Sequence, residues 1–151
     1  MLRAARPSDA GAIGDIFVAA SRQSLQYLPR LYHTDEETRT WIREIVLPTT
    51  TVWVAESGGQ VAGFCSLKQQ KLQHLYVRPG FQSRGIGTAL LEQARALSPS
   101  RLELYTFARN EGARRFYERH GFRPIAVGQD NEEKEPDVHY EWMPERSETT
   151  T

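Results

Sequence analysis

Six consecutive residues, Gln82-Ser83-Arg84-Gly85-Ile86-Gly87, place two glycines and an arginine between a strand ending at Val77 and a helix beginning near Gly85. Glycine lets the backbone approach a ligand closely, and the first N–H groups of a helix have no carbonyl partner of their own. Backed by the helix dipole, those N–H groups suit a pyrophosphate, and Arg84 adds a charge-assisted contact. A nucleoside triphosphate loop is excluded, because Gly-Lys-Ser/Thr occurs nowhere in the chain. A dinucleotide fingerprint fits poorly. Leu90 stands where its third glycine belongs and the turn from Val77 is too long, although Glu103 follows at about the distance of a ribose-binding acid.

The elements that must position this turn follow from periodicity. Leu2 to Ala5 reads as a short strand, and Pro7-Ser8-Asp9 opens a helix with Ile13, Ile16, Phe17 and Ala20 on one face. Ser24 to His33 is irregular and aromatic. Thr34 and Glu37 form a capping box for a second helix carrying Thr38, Trp41, Ile42 and Ile45, which Pro48 ends. Thr50 to Ala55 and Gln60 to Leu67 are strands about a Gly58-Gly59 turn, and Leu72 to Val77 completes an antiparallel meander. Ile86, Ala89, Leu90, Ala94 and Leu97 stripe the helix after Gly85. Arg101 to Phe107 alternates as a strand, and Asn110 precedes a helix bearing Ala113, Phe116, Tyr117 and His120 that stops at Gly121. Phe122 to Val127 and Val138 to Met143 are the last strands, flanking a solvated acidic loop from Asp130 to Asp137. The order predicts a mixed α/β layer fold.

Composition narrows the function. At 151 residues the chain is the size of one domain, and 39% hydrophobic with 25% charged residues is ordinary for a soluble globular protein. Nineteen basic against nineteen acidic residues provide no positive field for nucleic acid or an anionic membrane. The lone Cys65 forms no intrachain disulfide or thiolate cage, His33, His120 and His139 lack ligand spacing, and no metal is expected. Cys65, between Phe64 and Ser66, reads as a small buried hydrophobe rather than an acyl-carrying nucleophile. The first residues have no apolar core of signal-peptide length and no stretch of eighteen apolar residues occurs, so a cytoplasmic location is expected.

The turn Gln82 to Gly87 resembles the acyl-CoA pyrophosphate motif of the GCN5-related N-acetyltransferases, or GNAT family. Asn110-Glu111-Gly112-Ala113-Arg114-Arg115-Phe116-Tyr117-Glu118-Arg119-His120-Gly121-Phe122 resembles that family's later motif, at matching spacing, and the element order agrees from residue 2 to residue 143. The resemblance implies one GNAT domain over 1–143, followed by a disordered tail over 144–151. Its fold is a central, mostly antiparallel mixed sheet with a splayed strand pair and helices on both faces. Acetyl-CoA is the implied co-substrate. Gln82, Ser83, Arg84, Gly85, Ile86, Gly87 and Thr88 are implied to hold its pyrophosphate. Backbone groups of Leu75, Tyr76 and Val77 are implied to pair with the pantetheine arm, as a strand pairs with an exposed edge, and Asn110, Ala113 and Phe116 to contact it.

The implied reaction moves an acetyl group directly from acetyl-CoA to a primary amine of a small molecule or peptide. Tyr117 is implied to lie beside the sulfur, where a phenol can return a proton to the leaving thiolate. Taken alone, Asn110 reads equally as a helix cap and Tyr117 as a core aromatic. Relatives carry a glutamate base on the strand matching Lys71 to Val77 or on the next one. Here the first has no carboxylate, and Tyr105 replaces the second. His74, with an imidazole that titrates near neutrality, and then Glu103 acting through water, are the candidate bases. Tyr27, Leu28 and Tyr32 are candidates for the wall of the acceptor pocket, and the acidic loop for attracting a cationic amine. Pairing as a homodimer is consistent with the resemblance. A non-catalytic acyl-CoA binding or sensing module is the alternative that the missing carboxylate supports.

Overall fold

The computed structural model describes residues 1–24, 34–131 and 134–144. The strands β1 (Leu2–Ala4), β2 (Thr51–Ser57), β3 (Gln60–Lys68), β4 (Lys71–Val77), β5 (Leu102–Phe107), β6 (Arg123–Gly128) and β7 (Asp137–Trp142) form one sheet in the order β1-β2-β3-β4-β5-β7-β6. Every neighbouring pair is antiparallel except β4 and β5, which run parallel. The mixed sheet with helices on both faces is the expected architecture. The expected tail and Tyr27, Leu28 and Tyr32 lie outside the described residues, apart from Pro144.

One face of the sheet carries α1 (Ala10–Ser24) and α2 (Asp35–Trp41). Asp9 joins this layer to the sheet edge, its carboxylate accepting from both Arg3 guanidinium Nη atoms at 2.8 and 2.9 Å and from the Arg6 N–H at 2.7 Å. The capping box at Thr34 forms as its spacing predicts, with Glu37 N–H donating to Thr34 Oγ1 and Thr34 N–H to Glu37 Oε1. Pro48 does not end the second helix. The chain widens into a π turn over Ile42–Val46, where Leu47 N–H reaches back to Ile42 C=O, and a last turn, α3 (Leu47–Thr49), follows. The wider turn accommodates a ring that would strike the carbonyl four residues earlier in an α-helix. Ile13, Ile16, Ile42, Val46, Val52, Val54 and Phe64 fill the space beneath this layer.

The opposite face carries α4 (Ile86–Leu97) and α5 (Glu111–Arg119), packed through Leu90, Leu91, Ala94 and Tyr117 onto Leu102, Leu104, Val138 and Tyr140. Burying each of the larger apolar side chains contributes about 1.5–3 kcal/mol. β3 is covered on both sides from Val61 to Leu67 and so is the centre of the molecule. Gly63 on β3 sets how closely α4 approaches: a Cβ there would lie 3.0 Å from Tyr76 O, 3.1 Å from Ile86 Cγ2 and 3.2 Å from Leu90 Cδ1. Gly63→Ala is therefore expected to cost about 1–3 kcal/mol through overpacking, read as a lower urea midpoint at unchanged slope. A wild-type midpoint would mean that α4 does not press on β3.

Candidate functional site

The site begins with hydrogen bonds that the sheet does not make. β4 and β5 share a single register pair, Lys71 with Glu103, where Glu103 N–H donates to Gln70 C=O at 2.8 Å, and beyond it they separate. On its far side β4 pairs with β3 as far as Val77, and β5 pairs with β7 as far as Phe107. Arg78 N–H donates to Ala62 C=O, and the alternation of an antiparallel ladder then turns the backbone groups of Leu75 and Val77 towards the gap. A bulge helps to open it. Leu67 faces Leu72 while Ser66 faces His74, so Gln73 is an extra residue that bends β4. The bulge also changes which side chains point where. Leu72, Leu75 and Val77 face the α4 layer, whereas His74 and Tyr76 turn to the α1 layer.

At the open end of the gap the chain enters the loop 78–85. Gln82, Ser83, Arg84 and Gly85 are exposed, and Gly85, which precedes the first turn of α4, has φ of 81°. Ser83 also adopts a positive φ of 65°, unusual for a residue with a side chain. The first N–H of the helix to find a carbonyl is that of Ala89, on Gly85 C=O. The N–H groups of Ile86, Gly87 and Thr88 therefore face the loop. Gln82 Nε2 ties the loop to α1 through Gln23 Oε1 at 2.8 Å, and the Arg84 guanidinium stands 5.0 Å over the Phe81 ring. Gly87 rests beside Val77 and Phe116, which brings the two sequence motifs into contact. Asn110 caps α5 by accepting from the Ala113 N–H at 3.2 Å, so its helix-capping role is realised.

Tyr117 lies one residue beyond Phe116, buried between Phe116, Phe122 and Tyr140. Burial pushes its phenol well above the usual range, and the nearby Tyr76 and Cys65 add to the effect. It is therefore protonated at neutral pH. Cys65 is buried at 3.8 Å from the Leu90 carbonyl, and burial pushes its thiol up to about 12, as befits a small hydrophobe.

His74 and Glu103 are on the other face of the sheet and are not together. His74 is half-buried among Phe17, Trp41, Phe64 and Tyr76, and its Nδ1 lies 2.6 Å from Ser66 Oγ. Burial lowers its imidazole to about 4. Glu103 bonds His139 Nε2 at 2.9 Å and Arg101 Nη1 at 2.5 Å. Burial alone would raise the Glu103 carboxyl, but these hydrogen bonds outweigh it and hold the group below its usual range. Arg101, expected to open β5, instead precedes it and bridges Glu103 to Glu141.

On this same face an open pocket of about 520 Å³ extends across β4, β5, β7 and β6. Its walls include Lys71 and Gln73 from β4, Tyr105 from β5, Asp137 and His139 from β7, and Asp130 from the connection that precedes β7. Both strands of the splayed pair contribute, so on the face opposite Tyr117 the pocket lies where β4 and β5 begin to part. Sequence reasoning missed His139, which lies 36 positions from Glu103 along the chain. Strand alternation is the only signal that could have placed the two residues on one face.

Comparison with known proteins agrees with this arrangement. The family described as "Acetyltransferase (GNAT) domain" matches residues 48–124, from the end of the second helix through both motifs. Peptidyl-lysine N-acetyltransferase YiaC of Escherichia coli (strain K12) is 27% identical over 94% of this chain and 96% of its own length. Peptidyl-lysine N-acetyltransferase YjaB of the same organism is 33% identical over 58% of this chain and 61% of its length. The solution structure of apo-form YjaB superposes with a TM-score of 0.77 at 24% identity, covering 94% of this chain and 96% of that one. The PaiA N-acetyltransferase of Thermoplasma acidophilum, crystallised with coenzyme A, gives 0.74 at 19% identity, over 95% and 98% of the two chains. With both motifs joined at Gly87 and Phe116 beside a split sheet, the chain belongs to the GNAT acetyltransferases and is an acetyl-CoA-dependent N-acetyltransferase.

Proposed function

We propose that the acceptor is a primary amine on a cationic small molecule or peptide, with the ε-amine of a peptidyl lysine the favoured case. The observation that carries this reading is the pocket where the split strands begin to part, walled by the carboxylates of Asp130 and Asp137. Carboxylates at its rim attract an ammonium and orient it towards the gap. The names of YiaC and YjaB, both peptidyl-lysine N-acetyltransferases, support the same substrate class.

Acetyl-CoA fits the residues on the α4 face. The N–H groups at the start of α4, with Gln82, Ser83, Arg84, Gly85, Ile86, Gly87 and Thr88 around them, take the pyrophosphate. The outward-turned backbone of Leu75 and Val77, continuous with Tyr76, pairs with the amide-bearing arm. Asn110, Ala113 and Phe116 flank that arm. Acetyl-CoA supplies the thioester carbonyl that an amine attacks. Tyr117, kept protonated by burial, donates its phenolic proton to the departing sulfur. The reading includes a cytoplasmic location, consistent with a reduced Cys65. It also includes pairing as a homodimer. Among the described residues no helix is long and apolar enough to cross a membrane.

The base must accept a proton near neutrality. The environment of His74 argues for a packing role, since its ring packs on aromatic rings and its Nδ1 engages Ser66, whereas Glu103 borders the acceptor side. Two measurements follow. With acetyl-CoA and a lysine-containing peptide, Tyr117→Phe is expected to lower kcat by about 10²-fold. KM for acetyl-CoA and the melting temperature should be almost unchanged, because only a hydroxyl is removed. Unchanged turnover would reduce Tyr117 to packing. For His74, the folded value near 4 lies below the ordinary 6.5, so the unfolded chain takes up a proton that the folded chain refuses. Native stability should therefore fall as pH drops from 6.5 towards 4, and His74→Gln should flatten that part of the urea midpoint profile. Identical slopes in the two proteins would contradict this account of the half-buried ring.

A further inference from the structure

We infer that His139, oriented by Glu103, is the group that takes the proton from the acceptor amine. The inference deepens the reading above and rests on the amine entering by the pocket where β4 and β5 begin to part. His139 Nε2 lies 2.9 Å from Glu103 Oε1, and the other oxygen of that carboxylate accepts from Arg101 Nη1. A carboxylate held between a guanidinium and a ring nitrogen is an acceptor only, so Nε2 carries the ring hydrogen and Nδ1 keeps its lone pair. Among the described residues nothing hydrogen-bonds Nδ1. The ring is also fixed in orientation. It stacks on Tyr105 at 4.3 Å and 12°, and Lys71 Nζ approaches the same tyrosine from the β4 side, 4.7 Å from the ring centre.

The other candidates are less suited. His74 packs on aromatic rings, and its Nδ1 is engaged by Ser66. Glu103 is committed to Arg101 and His139 and lies behind the pocket wall rather than on it. Asp137 accepts from Asn131 Nδ2 at 3.0 Å, and aspartates are weaker bases than imidazole. The charged and titratable groups facing His139 are Glu103 and Tyr105 from β5, with Arg101 before it. Asp137 and Glu141 flank it along β7, Asp130 comes from the preceding connection and Lys71 from β4. From β6, Ala126 and Gly128 contribute no charge.

The step balances within these groups. The ammonium first releases one proton to solvent; as the neutral amine nitrogen then bonds to the acetyl carbon, its second proton passes to His139 Nδ1, directly or through one water. The carbon–sulfur bond breaks with its electron pair on sulfur, and Tyr117 protonates the sulfur from the opposite face. Solvent then removes the proton from the imidazolium and restores the phenol. Histidine is positioned here as the general base and Glu103 as the residue that sets its tautomer.

The test uses the whole chain, acetyl-CoA and two probes: a lysine-containing peptide and a hydrazide-bearing peptide whose nitrogen is already neutral. Wild type should show an acidic limb in kcat/KM with both, since a limb that persists for the neutral nucleophile belongs to the enzyme. His139→Gln should abolish that limb and lower kcat by about 10²-fold, with KM for acetyl-CoA unchanged. Glu103→Gln should lower kcat by about tenfold, partly restored by Glu103→Asp. A His139→Gln enzyme that keeps the limb and the turnover would overturn the inference. Nitrogen NMR of the wild-type imidazole tests the pair without any acceptor: the hydrogen should reside on Nε2, and finding it on Nδ1 would overturn the inference as well. If wild type acetylates neither probe, the acceptor reading fails, and the ring-nitrogen measurement decides the pair by itself.

Discussion

The whole site depends on two parallel strands that decline to pair. A buried peptide group left without a partner costs about 1–3 kcal/mol, so a sheet opened in its middle requires something else to satisfy the exposed edges. Here the opening is confined. Lys71 and Glu103 still meet, β3 and β7 hold the outer sides of the two strands in full ladders, and the opening widens only towards Val77 and Phe107. At that wide end stands the first turn of α4, whose N–H groups of Ile86, Gly87 and Thr88 face the loop, with Phe116 of α5 beside Gly87. An amide-bearing arm suits such edges, because it supplies donors and acceptors at strand spacing.

The split also divides the chemistry between two faces. The α4 face carries the phenol of Tyr117 in apolar surroundings, which disfavour its anion and keep its proton available. The α1 face carries charge: Glu103, Arg101, Glu141 and His139 form one connected set, and Asp130 and Asp137 stand beside it. A sheet is thin enough for one reacting centre in its gap to be reached from both sides. It is also continuous enough elsewhere to stop the two environments from mixing. An acid placed among the carboxylates, or a base placed among the phenylalanines, would each be shifted away from its task.

How much of this could be read from the chain differs by element. Helix caps at Thr34 and Asn110 and the turn before α4 were legible, because each is local and its signal lies within three or four residues. The strand order before Val77 was legible for the same reason. The bulge at Gln73 was not, since nothing in Leu72-Gln73-His74 distinguishes an extra residue from a paired one; the opposing strand decides it. The bulge is what moves His74 into the aromatic layer, and so the base first suggested by residue type sits in surroundings that suppress its charge. The π turn that carries the second helix past Pro48 was likewise invisible, being a property of hydrogen-bond register rather than of residue type.

The pairing of Glu103 with His139 shows why the acceptor side resists a local reading. The two residues meet only because β7 returns between β5 and β6, an insertion in the sheet order that follows no sequential neighbour rule. Once it does, strand alternation aligns Glu103 and Tyr105 with Glu141, His139 and Asp137 on one face. Tyr105 occupies the position where a carboxylate was sought on β5. Its ring is what holds the imidazole flat, and the carboxylate it displaces reappears one step back, at Glu103, acting on the next strand. The lack of an acid on β4 and at Tyr105 thus fits the proposed relocation of the proton acceptor rather than its loss. Glu103 and Tyr105 together fix the tautomer and the ring orientation of His139.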